Sequence, residues 1–110
     1  TRCFCHVADV TQALVGLVNE PEAEGGVFNV GGRDEISICD LAVQIKDLLG
    51  SSSPIQYIPY ERAYETGFED MQRRRPDISK INTALGWVPQ RSLDDIIEDV
   101  AKDLSSRTDL

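Results

Sequence analysis

The chain has 110 residues, of which 41% are hydrophobic and 27% are charged, as in one ordinary globular domain. Nineteen acidic and eleven basic side chains give a net charge of −8, which disfavours general binding to nucleic acids or anionic membrane surfaces. This length leaves little room for a cofactor domain beside a substrate domain, and the sequence has no run of the roughly 18 apolar residues that a membrane helix needs.

The first third of the chain predicts a strand, a helix and a second strand. Residues 2–7 alternate small and bulky side chains, which is typical of a short strand. From Val10 the apolar residues follow helical spacing until residues 19–21, where Asn-Glu-Pro ends the pattern. Residues 27–30, enclosed by two glycine pairs, predict a compact strand between tight turns.

The middle of the chain predicts a second helix, a third strand and an irregular segment. Ser37 is a good N-cap with Asp40 three residues later, and Gly50 ends a well-defined apolar face. Residues 55–58 alternate as a strand. Residues 60–76 show no sustained apolar period, and long irregular segments of compact domains are either mobile or functional.

The end of the chain predicts two further helices. Asp77 or Ser79 can cap a short helix that runs to Gly86. Ser92 and Asp95 open the last helix, which has a continuous apolar side. The predicted fold is therefore α/β, with short strands and about four helices.

The usual catalytic, metal-binding and dinucleotide-binding patterns are missing. The glycine pairs lie at the two ends of one strand, and no G-x-G-x-x-G or P-loop spacing exists, so we expect no cofactor binding by this chain alone. Cys3, Cys5, His6 and Cys39 lack the spacing of a closed zinc site. His6 is better interpreted as a structural group than as a general base, and the cysteine pattern favours a reducing, cytoplasmic setting.

The run of three arginines at residues 73–75 allows two interpretations. It can be a solvated run that pairs with Glu65, Glu69 and Asp70, as is common in an acidic protein. It can also be a diphosphate clamp, because planar guanidinium groups bind phosphate oxygens in a bidentate manner. Arg2 is a second candidate cation for such a clamp.

Three stretches in the same order resemble one enzyme family. Residues 2–10 are similar to the element R-x-F-x-H/Y-V-x-D-V, and residues 27–38 to F-N-V-G followed by x-S-I. Residues 68–89 resemble F-E-D-M-x-R-R-x-P-D-x-x-K followed by L-G-W-x-P. These elements belong to the extended short-chain dehydrogenase/reductase enzymes, the NAD-dependent nucleotide-sugar epimerases, dehydratases and decarboxylases. The third stretch is closest to the UDP-glucuronate decarboxylase-like and UDP-glucose 4-epimerase-like branches.

The resemblance implies that residues 1–110 are the C-terminal nucleotide-sugar-binding region of such an enzyme. Arg2 and Arg74 would then contact the diphosphate of a UDP- or dTDP-sugar, with Arg73 as the alternative to Arg74, and Asp70 would accept hydrogen bonds from the ribose. The NAD-binding Rossmann domain and the Tyr-x-x-x-Lys catalytic pair of the family are absent from this chain, so we expect it to have no activity by itself.

Two further expectations concern partners. The full-length enzyme is expected to be a homodimer, and the missing domain would leave an apolar face exposed around Leu14, Leu17 and Val18. The alternative to an enzyme part is a stand-alone, non-catalytic module that binds nucleotide-sugars or another protein.

Overall fold

A computed structural model describes residues 1–59 and 75–107 of the chain. This part of the molecule is a mixed α/β structure with four α-helices and one two-stranded sheet. The elements in chain order are β1 (Arg2–Cys3), α1 (Val7–Val18), a 3₁₀ turn (Pro21–Ala23), β2 (Glu35–Ile36), α2 (Ile38–Leu49), α3 (Ser79–Leu85) and α4 (Leu93–Ser105). No helix within these residues is long and apolar enough to cross a membrane.

The helix ends follow the capping residues of the sequence. Ser37 Oγ accepts the backbone N–H of Asp40 at 3.0 Å, and Gly50 ends α2 in the left-handed conformation, with φ of 63°. Ser92 and Asp95 cap each other's backbone N–H groups at the start of α4. The second helix and the last helix are therefore confirmed as predicted.

The cap of α3 differs from the prediction by one position. The N-cap residue is Ile78, which is neither of the two predicted residues. Asp77 nevertheless supplies the hydrogen bond, because its Oδ1 accepts the backbone N–H of Ser79 at 2.9 Å. Hydrogen bonds from the side chain and then from the backbone of Ser79 lower the pKa of Asp77, since they favour the charged carboxylate.

The predicted strands are largely wrong. The first strand is only β1, which pairs antiparallel with the unpredicted β2, so that Arg2 lies opposite Ile36 and Cys3 opposite Glu35. Residues 27–30 and 55–58 form no strand. A strand requires a partner, and alternating side chains over four residues do not supply one.

Side chains hold residues 27–30 in place of strand pairing. Lys80 Nζ donates to the carbonyl oxygen of Val27 at 2.8 Å and lies 4.7 Å from the centre of the Phe28 ring. Asn29 Nδ2 donates to the carbonyl oxygen of Asp77 at 3.4 Å. Phe28 and Val30 also pack against the hydrophobic core, so side-chain contacts attach the segment to the region around α3.

The core lies between α1, α3 and the segment that follows α3. Its buried members are Ala13, Ile78, Ile81 and Trp87, and Leu17 packs against them. A Cβ on Gly16 would lie 2.9 Å from Leu85 Cδ1, so α1 and the end of α3 are in close contact. The core thereby anchors the segment that contains α3 at Ile78, Ile81 and Trp87.

The side of α1 opposite the core is apolar and exposed. Leu14 is 54% exposed and Val18 is 84% exposed, which confirms the predicted face at these two positions, and Val7 and Val15 extend it. The prediction for Leu17 was wrong, because Leu17 lies four residues after Ala13 and turns toward the core. A helix with apolar residues on two sides is typical of a buried helix.

His6 connects the first and last helices. Its Nδ1 accepts the backbone N–H of Ala8 at 3.0 Å and so caps α1, while Nε2 lies 2.7 Å from Asp99 Oδ2. Because Nδ1 is the acceptor, Nε2 carries the hydrogen and donates to the carboxylate of Asp99. The structural interpretation of this histidine is confirmed.

Replacing His6 with alanine is expected to lower the free energy of unfolding by about 1 kcal/mol, the usual cost of removing a helix cap. His6→Asn serves as the matched variant, since asparagine can cap α1 but cannot reach Asp99. Urea unfolding should therefore place His6→Asn between the wild type and His6→Ala. Equal stability of His6→Ala and the wild type would contradict the capping role.

Candidate functional site

Three arginines line one cavity of about 520 Å³. The cavity lies between residues 32–36, the start of α4 and Arg75, the last residue of the arginine run. Its arginines are Arg33, Arg75 and Arg91, whereas the described residues contain only five arginines in all. Asp34 and Glu35 line the same cavity, so three of the five described arginines meet two carboxylates there.

Two adjacent glycines bring Arg33 to the cavity. A Cβ on Gly32 would overlap the carbonyl oxygen of Phe4, and a Cβ on Gly31 would lie 2.8 Å from Pro76 Cγ. Neither glycine has a positive φ, so they serve close packing and not the tight turn that the sequence predicts. The backbone before Arg33 is therefore in close contact with the residue after Arg75.

Arg91 is fixed by the buried Asp9. Asp9 Oδ1 accepts from Arg91 Nη1 at 2.6 Å, and Asp9 Oδ2 accepts the backbone N–H groups of Gln90 and Arg91 at 3.1 and 3.0 Å. The backbone oxygen of Asp9 accepts from Trp87 Nε1 at 3.0 Å. Asp9 thereby attaches α1 to the segment that leads into α4.

Two opposing effects act on the pKa of Asp9. Its burial raises the pKa, because a carboxylate loses its hydration in the interior. The hydrogen bonds and the charge of Arg91, together with the bond from Gln90, outweigh burial and leave the pKa of Asp9 below its ordinary value. Asp9 is accordingly a structural anion at neutral pH.

Arg33 and Arg75 differ from Arg91 in their partners. Both also line a second cavity, of about 460 Å³, beside Asp77. Within residues 1–59 and 75–107, no carboxylate forms a salt bridge with either of them. These two guanidinium groups therefore differ from that of Arg91, which is paired with the carboxylate of Asp9.

The predicted site residues are only partly within the described structure. Arg2 lies half-buried on β1, where its Nη1 donates to the carbonyl oxygen of Thr1 at 2.8 Å. It does not line the cavity, but the residue opposite it, Ile36, does. Asp70 and Arg74 lie outside the described residues, as do the acidic residues that the solvated alternative requires.

The sequence interpretation missed Arg33 and Arg91. Two signals were available, since Arg33 directly follows a glycine pair and Arg91 directly precedes the cap of α4. Neither signal shows that the two residues face one cavity, because this depends on contacts across more than fifty positions of the chain.

The three cysteines are free thiols. Burial is the main effect that raises the pKa of Cys3 and of Cys5, which keeps both in the neutral form. Among the residues that the structure describes, no three histidine, cysteine or acidic side chains are grouped as metal ligands would be.

The described residues do not fit the pyrophosphate of NAD. Such a site needs a glycine turn whose backbone N–H groups open onto the start of a helix. The pair Gly31 and Gly32 is instead packed against Phe4 and Pro76, and the next helix, α2, begins only at Ile38.

The sequence profile of the family described as GDP-mannose 4,6 dehydratase matches residues 1–100. The chain belongs to this family. The resemblance to nucleotide-sugar dehydratases and decarboxylases that the sequence motifs suggest is thereby confirmed.

Individual members of the family agree with this assignment. The chain is 37% identical over 92 residues to the UDP-N-acetyl-alpha-D-glucosaminuronate decarboxylase of Bacillus cytotoxicus, a match that covers 84% of the chain and 28% of that protein. It is 39% identical over 89 residues to UDP-glucuronic acid decarboxylase 1 of Danio rerio, covering 81% of the chain and 19% of that protein. It is 31% identical over 106 residues to UDP-D-apiose/UDP-D-xylose synthase 2 of Arabidopsis thaliana, covering 88% of the chain and 27% of that protein. The chain thus spans less than a third of the length of each of these relatives.

Proposed function

We propose that residues 1–110 are the C-terminal nucleotide-sugar-binding region of an NAD-dependent epimerase, dehydratase or decarboxylase. The substrate would be a UDP- or dTDP-sugar, and the names of the relatives from Bacillus cytotoxicus and Danio rerio favour UDP. The observation that carries the proposal is the arginine-lined cavity between β2 and the end of the arginine run. Guanidinium groups are the side chains best suited to a diphosphate.

In this proposal Arg2 and Arg74 contact the diphosphate and Asp70 accepts hydrogen bonds from the ribose. Their support is the family motif together with the position of their neighbours. Ile36, opposite Arg2, and Arg75, next to Arg74, both line the cavity. Binding of the unreacting nucleotide would position the sugar for chemistry that other parts of the enzyme perform.

The remaining parts of the proposed enzyme would be an NAD-binding Rossmann domain and a Tyr-x-x-x-Lys pair. The exposed apolar side of α1 supports such a domain, because Val7, Leu14 and Val18 would lose their contact with water against it. The coding sequence upstream of Thr1 distinguishes this proposal from a stand-alone binding module. We expect about 200 further residues that carry a strand-linked glycine turn, whereas a start codon close to Thr1 would favour the module.

A titration of UDP tests the role of the arginine run. Arg74→Ala is expected to weaken UDP binding by about tenfold, since a hydrogen bond to a charged group contributes about 1.5 kcal/mol. Arg107→Ala is the matched control, because Arg107 is exposed just after the C-terminal end of α4 and pairs with Asp103. Unchanged affinity in Arg74→Ala, with UDP still bound, would remove Arg74 from the site.

A further inference from the structure

We infer that Arg33 and Arg75 form a second pair of phosphate contacts, which bind the diphosphate from the wall that two neighbouring cavities share. The inference rests on the proposed function for the identity of the ligand. Arg75 belongs to the arginine run, but the family resemblance assigns a contact neither to Arg75 nor to Arg33. It begins from the fact that both arginines line both cavities, of about 520 and 460 Å³. Residues that line both cavities lie on the wall between them.

The third arginine of the cavity shows why these two are different. Arg91 donates to the buried carboxylate of Asp9 at 2.6 Å, so its charge is already balanced. Arg33 and Arg75 form no salt bridge within the described part of the chain. Two like charges on one wall repel each other, and a bound dianion would remove that repulsion.

Three acidic side chains also line the two cavities, and two of them accept hydrogen bonds from neutral groups. Glu35 accepts the hydroxyl of Thr1 at 2.5 Å, and Asp77 accepts the backbone N–H of Ser79 at the start of α3. Asp34 lines the larger cavity beside Arg33. These carboxylates keep their charge, so the case for a phosphate rests on the two guanidinium groups that line both cavities and form no salt bridge within the described part of the chain.

The backbone holds the two arginines in place before any ligand arrives. Gly31 lies so close to Pro76 that a Cβ would approach Pro76 Cγ to 2.8 Å, and Gly32 lies directly against the carbonyl of Phe4. The residues next to Arg33 and Arg75 are thus packed together. The backbone at this point therefore loses little freedom on binding, whereas the exposed side chains of both arginines still have to be ordered.

The test uses pyrophosphate, UDP and uridine as probes of the full chain in calorimetric titrations. Arg33→Ala and Arg75→Ala are each expected to weaken pyrophosphate and UDP binding by about tenfold and to leave uridine unchanged, because uridine has no phosphate. Arg33→Lys should recover part of the loss, since lysine keeps the charge but not the planar fork. Arg107→Ala is the control.

The outcomes separate this inference from the proposed function. Normal UDP affinity in both Arg33→Ala and Arg75→Ala, combined with weaker binding in Arg74→Ala, would overturn the inference and support the proposed function. A second outcome is that pyrophosphate binding depends on Arg33 and Arg75 but UDP binds no more tightly than pyrophosphate. This would support the inference and count against a nucleotide site. Failure of the wild type to bind either phosphate ligand would overturn both.

Discussion

Replacing Asp9 with asparagine is expected to lower the free energy of unfolding by about 3 kcal/mol at neutral pH, near the lower end of the cost of breaking a buried ion pair. Asp9 is fully buried, and its two oxygens accept three N–H groups from Gln90 and Arg91. An asparagine amide has one oxygen, so in either orientation its NH₂ group would face one of these donors. The desolvated donor would then lack a partner.

The effect of this substitution should depend on pH in a defined direction. Because the pKa of Asp9 is lowered in the folded protein, its carboxylate stabilises the fold at pH values above the unfolded pKa of about 3.9. This contribution is lost as the pH falls through the folded pKa. The difference in stability between the wild type and Asp9→Asn should therefore be largest near pH 7 and should narrow below about pH 4.

Other acidic groups do not disturb this comparison. Hydrogen bonds from Ser79 and Ser92 also lower the pKa of Asp77 and of Asp95, but both groups are present in the two proteins and cancel in the difference. Urea unfolding at pH 7 and pH 3 measures the effect. A difference that stays constant between these pH values would show that the charge of Asp9 does not stabilise the fold.

A substitution of Arg91 provides the matched control. The side chain of Arg91 is 41% exposed and can be hydrated when its partner is lost, whereas the side chain of Asp9 is fully buried. Arg91→Ala keeps both backbone N–H groups that Asp9 accepts, so we expect a smaller loss of about 2 kcal/mol, as for one hydrogen bond to a charged group. An equal or larger loss in Arg91→Ala than in Asp9→Asn would contradict the described role of the buried carboxylate.

Replacing Gly32 with alanine is expected to destabilise the chain by about 3 kcal/mol, at the upper end of the usual cost of overpacking. The new Cβ would overlap the backbone carbonyl of Phe4, which cannot turn aside as the end of a flexible side chain can. The overlap could be removed only if residues 31–36 moved away from β1. The substitution should therefore also displace Arg33 and weaken anion binding.

Gly50→Ala separates this overlap from the general loss of a glycine. Gly50 has a φ of 63° and no atom within 4 Å of an added Cβ, so only the left-handed backbone is penalised, by about 1 kcal/mol. Urea unfolding of both variants gives the comparison. If Gly32→Ala were no less stable than Gly50→Ala, the close approach of residues 31–32 to Phe4 would be refuted.

The helices could be predicted from the sequence because their signals are local. Ser37, Gly50 and Ser92 each mark a helix end through a hydrogen bond or a backbone conformation within four residues. The strands could not be predicted, because β1 depends on pairing with Glu35 and Ile36, more than thirty positions away. The sequence alone does not show which extended segments find such a partner.

The candidate site divides in the same way. The family motifs and the arginine run marked Arg2 and the region of Arg74, which are recognisable as short patterns. The parts played by Arg33 and Asp9 arise only when distant segments pack, through Gly32 against Phe4 and through Asp9 with Arg91. The family motif over residues 2–10 includes Asp9, but it does not show that the carboxylate is buried and accepts backbone N–H groups from residues 90 and 91.

Chemical-shift mapping with UDP tests the central claim most directly, namely that the chain binds a nucleotide diphosphate in the arginine-lined cavity. We expect UDP to shift the backbone amide signals of Gly32, Arg33, Arg75 and Arg91, which belong to the segments that surround this cavity. Uridine should shift the signals of the two arginines Arg33 and Arg75 much less. Shifts confined to residues 20–23 and 79–84, which surround a different cavity of about 440 Å³, or no shifts at all, would contradict the claim.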